Sequence, residues 1–132
     1  MLHHYHVIRF LKVYMARLTL YCLLVFFVLP TMSHASSSIA GIWQHVDKPA
    51  FIEFDLDKGI GTVKTHQTHP QNEGQLVIRK ITKASQQDNL WLGEIYDASR
   101  GIFVAISIKK EQRKVFVYDA LGKQILALKR GR

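Results

Sequence analysis

Cysteine is nearly missing from this chain. Cys22 is the only one in 132 residues. It sits within an apolar run, so the region that follows forms no internal disulfide, offers no thiolate nucleophile and holds no metal through sulfur. Acidic residues are missing from the first 35 positions, which carry Arg9, Lys12 and Arg17. A spanning-length apolar segment is missing as well. Leu18 to Leu29 reads LTLYCLLVFFVL without a charge, but a membrane helix needs about 20 such residues. Nucleotide fingerprints, phosphate loops and nucleophile motifs are also absent. Gly59-Ile60-Gly61 lies between strand-like segments and opens no helix, so it is no phosphate cradle.

The one apolar run has the pattern of an export signal instead. It follows a positive flank and ends at Pro30 and TMSHA, where Ser33 and Ala35 stand at small-x-small spacing. Residues 1–35 are expected to be a signal peptide cleaved after Ala35. Residues 36–132 would then remain as one periplasmic or secreted domain with no membrane span. Met15 offers a second start, and MAR before the same run gives the same mature chain. Cys22 is mid-run rather than at the exit, so it is not placed as a lipoprotein cysteine.

The 97 residues left of 132 after removal of 35 suffice for a single core without staples. Three of the 18 basic residues leave with the signal and none of the 10 acidic ones, so the balance falls from +8 to +5. That favours soft association with anionic surfaces, lipid or polysaccharide. No nucleic-acid partner is expected, because the Lys and Arg are scattered rather than gathered in a stripe.

Ser36 to Ser38 form a polar lead, after which apolar residues recur with period two and turn residues every eight to twelve positions. Eight short strands are expected: Ile42–His45, Phe51–Leu56, Ile60–Thr65, Gln75–Thr82, Leu90–Tyr96, Ile102–Lys109, Lys114–Tyr118 and Gln124–Lys129. The links around Gly59, Gly74, Gly101 and Gly122 are short and end in glycine, as reversals between neighbouring antiparallel strands require. A meander of eight strands can close and remove its edges. The expected fold class is all-β, a small antiparallel up-and-down barrel.

Alternation divides the faces. Ile102, Val104, Ile106 and Ile108 should point into the core and Phe103, Ala105, Ser107 and Lys109 away from it. Ile52, Phe54 and Leu56 likewise oppose Glu53 and Asp55. Trp91, Ile95 and Asp97 share one face, Glu94 and Tyr96 the other.

Three segments, Gly41-Ile42-Trp43, Trp91-Leu92-Gly93-Glu94-Ile95-Tyr96-Asp97 with Gly101, and Leu128-Lys129-Arg130, carry a family resemblance. The chain resembles the DUF2147 family of exported bacterial proteins, whose pattern runs G-x-W, W-x-G-x-I-Y-D-P-x-x-G and a terminal W-x-R. It departs from that pattern at Ala98, Ile102 and Leu128, where the family has Pro, Lys and Trp, and it lacks the family's cysteine pair. The resemblance implies a lipocalin-like barrel and no particular reaction.

In such barrels the G-x-W tryptophan plugs one end beneath a late basic residue, which assigns Gly41, Trp43 and Arg130 a structural role. Asp97 opens the turn to Gly101 and should accept its backbone N–H groups. Glu53 and Asp55 share a solvated outer face rather than flanking a cleft as glycosidase carboxylates do. His45, His66 and His69 are the histidines left after cleavage. His66-x-x-His69 lies in a Gln- and Thr-rich loop with no adjacent carboxylate, so no metal and no other cofactor is expected.

The chain therefore reads as a non-enzymatic envelope protein that binds a small apolar or amphipathic ligand near Trp91, Tyr96, Arg100 and Phe103. The aromatics would supply apolar surface, the Tyr96 hydroxyl would meet a head group and Arg100 would pair with a carboxylate. The alternative is a packed barrel acting as a surface interaction module for another envelope protein or an anionic glycan. The export reading has a direct test. Intact mass of the exported protein should start at Ser36, and a species that keeps residues 1–35 in the membrane fraction would refute it.

Overall fold

The computed structural model describes residues 37–131. The expected signal peptide, its cleavage point and Cys22 lie outside them. Eight strands follow in chain order: β1 (Gly41–His45), β2 (Ala50–Asp55), β3 (Ile60–His66), β4 (Leu76–Lys83), β5 (Leu90–Asp97), β6 (Ile102–Glu111), β7 (Lys114–Asp119) and β8 (Gln124–Arg130). The only helical turn among the described residues is a short 3-10 piece, Pro70–Asn72, in the loop before β4. No helix among them is long and apolar enough to cross a membrane. Each strand pairs antiparallel with its sequence neighbour, and β8 returns to β1, so the sheet closes into a barrel. Strand ends differ from the sequence expectation by at most two residues, at the end of β6.

The up-and-down order gives the barrel two unlike ends. The loops 46–49, 67–75, 98–101 and 120–123 gather at one end. The links 56–59, 84–89 and 112–113 gather at the other, with the chain entering before β1 and leaving after β8. Period two sends Trp43, Ile52, Phe54, Ile78, Trp91, Ile106, Ile108, Val115, Val117 and Leu128 inward, where they join Ile39 and Ile81 in one buried cluster. Ile39, Trp43, Ile78, Ile108, Val115, Val117 and Leu128 have no solvent-accessible surface at all. Around these side chains there is no room for water, as in a close-packed interior.

Large and small residues interlock across strands to achieve this. Gly61 opposes Phe54 and Ile78 in register, and a Cβ there would stand 3.2 Å from the Phe54 ring and from Ile78. At Gly93 a Cβ would meet the Arg79 carbonyl oxygen at 3.1 Å. The two glycines leave the space that the Phe54 ring and the β4 backbone occupy.

Two features depart from strict alternation. The β4–β5 register shifts between Arg79 and Thr82, where Lys80 takes a φ of 53°. This bulge brings both Ile78 and Ile81 to the inner face, three positions apart, and turns Arg79 and Lys80 outward together. Both reach Glu94, at 2.6 Å and 3.1 Å. The second departure corrects the expected core. Ile106 and Ile108 are buried, Val104 is only half-buried and Ile102 is 49% exposed. The β5–β6 hairpin outruns its neighbours, with the ladder to β4 stopping at Ile78–Ile95 and that to β7 at Ile106–Asp119. The last inward row therefore has nothing beside it to cover it.

Trp43 is the largest wholly buried side chain, so its loss should be the most costly to the core. Trp43→Ala is expected to destabilise the domain by about 3–5 kcal/mol. Arg130→Ala should cost about 0.5–2 kcal/mol, the worth of a cation over an indole. Denaturant melts of the two variants check the ranking, and equal costs would contradict it.

Candidate functional site

At the end where the chain enters, Trp43 projects inward from β1 and its indole Nε1–H donates to the Ile39 carbonyl at 2.7 Å. Arg130 faces Trp43 in the β1–β8 register, and its guanidinium carbon lies 4.2 Å from the ring centroid. Its Nη2 donates to the Ala40 carbonyl at 3.3 Å. Gly41 permits this approach. Its φ is +100°, and a Cβ would sit 3.1 Å from Arg130 Nη1. Indole, guanidinium and the preceding backbone thus close this end of the barrel.

The other end differs in character. Ile95 and Val104 stand half-buried on the inner row, Ile102 continues it into solvent, and the rim carries Val46, 43% exposed, and Leu121, 94% exposed. Apolar side chains left wet on an inward face form a surface that an apolar molecule can cover.

The residues expected to form one ligand site are divided between the two faces. Trp91 lies on the inner side, 3% exposed, with Lys83 Nζ 5.5 Å from its ring. Tyr96 and Phe103 face outward as a cross-strand pair, their rings 5.4 Å apart. The Arg79 guanidinium caps Phe103 at 4.0 Å while also holding Glu94. Arg100 is in the 98–101 turn with its Nε on Asp97 at 2.8 Å. The Tyr96 hydroxyl leans over that turn, 4.0 Å from where a Cβ on Gly101 would be. Tyr96 and Arg100 therefore belong to the hairpin tip beside the open end, with Phe103 behind them on the outer wall.

Asp97 organises the tip. Its Oδ1 accepts from the Ser99 hydroxyl at 2.6 Å and the Ser99 N–H at 3.0 Å, and its main-chain oxygen accepts from Gly101 N–H at 2.8 Å. The Ser99 hydroxyl first, then the Arg100 guanidinium, hold its carboxyl down at about 2. At Glu94 the hydrogen bond from Arg79, then that from Lys80, also lowers the carboxyl below its ordinary value. Glu53 pairs with Lys64 at 2.9 Å and Asp55 with Lys58 at 3.8 Å, both on the outer wall.

The histidines close turns. His45 Nδ1 accepts from the backbone N–H groups of Asp47 and Lys48, and His66 Nδ1 from that of His69. Burial, then the nearby Lys48 charge, lowers the His45 pKa. His66 and His69 meet edge to face at 4.8 Å with the Thr68 hydroxyl between their Nδ1 atoms. Among the described residues no group of three metal-ligating side chains converges.

The sequence pointed to a barrel mouth at the Asp97–Gly101 turn, but the apolar rim of Ile102, Val46 and Leu121 went unread because it depends on where neighbouring strands stop. Its one sequence signal was the lone Leu121 within a turn. Set against family models, curated proteins and solved structures, the chain finds no match.

The depressed Asp97 pKa fixes the sign of its pH dependence. What this carboxylate adds to folding is present above its ordinary value of 3.8 and is lost as pH falls through about 2. In an NMR titration the Asp97 side chain should ionise with a midpoint near 2, and Ser99→Ala should move the midpoint upward. An unmoved midpoint would mean that the Ser99 hydroxyl does not hold the carboxylate.

Proposed function

We propose that this is an exported, non-catalytic barrel of the bacterial envelope that binds a fatty acyl chain or similar apolar ligand at its open end. The observation that carries the reading is the inward row Ile95, Val104 and Ile102, which grows more exposed toward the tip although every member is apolar. An inner face that keeps these apolar side chains where it leaves the core, with the carboxylate of Asp97 opposite Ile102 tied into its own turn, is suited to a hydrocarbon entering from outside. Barrels of about eight strands either fill with side chains or hold one small ligand. Here side chains fill the interior as far as Ile78, Ile106 and Val117, so the ligand would lie against the exposed inner face of the β5–β6 tip. Tyr96 and Arg100 at the tip are suited to a polar head group.

Export rests on the signal pattern of residues 1–35 and kinship with DUF2147 proteins on the three motifs of the sequence. Both support an envelope location, and neither motif nor site geometry supplies a reaction. The reading is of a carrier or sensor that holds its ligand by apolar contact and contributes no chemistry to it.

Titration with the fluorescent fatty acid cis-parinaric acid tests this. Saturable enhancement is expected, with dodecanoate competing for the same site. Ile102→Asp, at a half-exposed position that the fold tolerates, should weaken binding about fivefold, from the loss of roughly 1 kcal/mol of apolar contact. No saturable response to fatty acids or lysophospholipids, or an unchanged response in Ile102→Asp, would end the proposal.

A further inference from the structure

A row of side chains faces outward across the closing seam, near the filled end of the barrel and apart from the open one. Gln44 on β1 stands opposite Lys129 on β8, and Lys129 stands opposite Lys114 on β7. Arg113, in the β6–β7 turn, joins them. Together with the edge of Arg130 they line a cleft of about 720 Å³. A second cleft of about 440 Å³ shares Arg113 and Lys114 and runs on to Phe116. The two clefts adjoin at Arg113 and Lys114 to make a groove that is basic where they meet, with the Gln44 amide lining the first and the half-buried Phe116 ring the second.

The charges in this groove are not balanced from within. Arg113, Lys114 and Lys129 make no ion pair among the described residues, whereas Lys58, Lys64, Arg79, Lys80, Arg100 and Lys109 all do. Glu111, the one carboxylate beside the groove, is taken by Lys109 at 3.0 Å. Two lysines directly opposite each other on adjacent strands repel and weaken the sheet. An anion between them removes that repulsion and gains charge-assisted hydrogen bonds.

We propose that this groove binds the phosphoryl group of a sugar phosphate, free or carried on a glycan. A doubly charged phosphate monoester matches opposed Lys114 and Lys129 with the Arg113 fork beside them. A bare anion is too small for the groove. The extra length leads to Gln44, which can exchange hydrogen bonds with hydroxyls, and to Phe116, whose ring offers a flat apolar face to a pyranose. The site is independent of the apolar open end, so either can fail without the other.

Titration of the purified protein with glucose 1-phosphate, followed in the amide NMR spectrum, tests the site. Saturable shifts are expected at Gln44, Lys114, Phe116 and Lys129, with glucose and inorganic phosphate each binding more weakly. Lys114→Gln with Lys129→Gln should weaken binding about ten- to a hundredfold, from the loss of two charged hydrogen bonds, while Lys58→Gln on the far wall leaves it unchanged. The double variant should melt no lower than the parent, since its opposed charges are gone. Should it fail to fold, Lys129→Gln alone provides the same comparison. No saturable shift, or one that survives in the lysine variants, would overturn the proposal. So would inorganic phosphate binding as tightly as the sugar ester, or binding seen only with phosphatidylglycerol vesicles.

Discussion

Between β1 and β8 only three residue pairs face each other, Trp43 with Arg130, Gln44 with Lys129 and His45 with Leu128. This short seam separates a barrel from an open sheet with two bare edges. Hydrogen bonding alone would hold it weakly, since three pairs supply few ladder bonds and each contributes about 1 kcal/mol net. Side chains add the rest. Trp43 is anchored through Ile39, Arg130 lies over the indole and reaches Ala40, and Leu128 is buried beneath. The first and last strands are thus tied by the largest buried ring in the domain, and the ring is shielded by the strand it recruits. A described region without cysteine gains from this contact the kind of end-to-end constraint that a disulfide gives other small domains.

Much of this architecture was legible in the sequence, for a reason that also marks the limits. Period two and glycine-ended links specify strand and turn locally, so all eight strands and their order could be read. The same parity placed Trp91 with Ile95 and Tyr96 on the opposite face, as the structure has them. The contact of Arg130 with Trp43 was suggested by resemblance and not by any local rule. The bulge at Lys80 was not legible, because it arises where β4 must pass the bare backbone of Gly93. Nor was the exposure of Ile102, which depends on the length of β7 and not on residue 102. The basic groove escaped notice because its cations come from two strands and a turn that meet only when the barrel closes.

The two ends of the barrel carry opposite physics. One is closed by an aromatic ring and a guanidinium, the indole N–H donating to the Ile39 carbonyl and Arg130 Nη2 to that of Ala40. The other is held by the Asp97 turn and opens an apolar inner wall to solvent. The outer wall between them is mostly self-neutralising: Glu53, Asp55, Glu94 and Glu111 each hold a lysine or arginine. Against that background, uncompensated charge stands out at the seam and uncompensated apolar surface at the rim.

Gly61 and Gly93 flank the space filled by the Phe54 ring and the β4 backbone. The interior at that level is solid because one large side chain from β2 occupies room that its neighbours vacate. Shrinking that single ring to alanine would leave a void walled by Ile78 and by a glycine with no Cβ to move into it. An apolar void of this kind stays dry and accepts small hydrocarbons. One side chain thus separates a solid interior from one with a void at this level, at a cost of about 3–5 kcal/mol for the truncation.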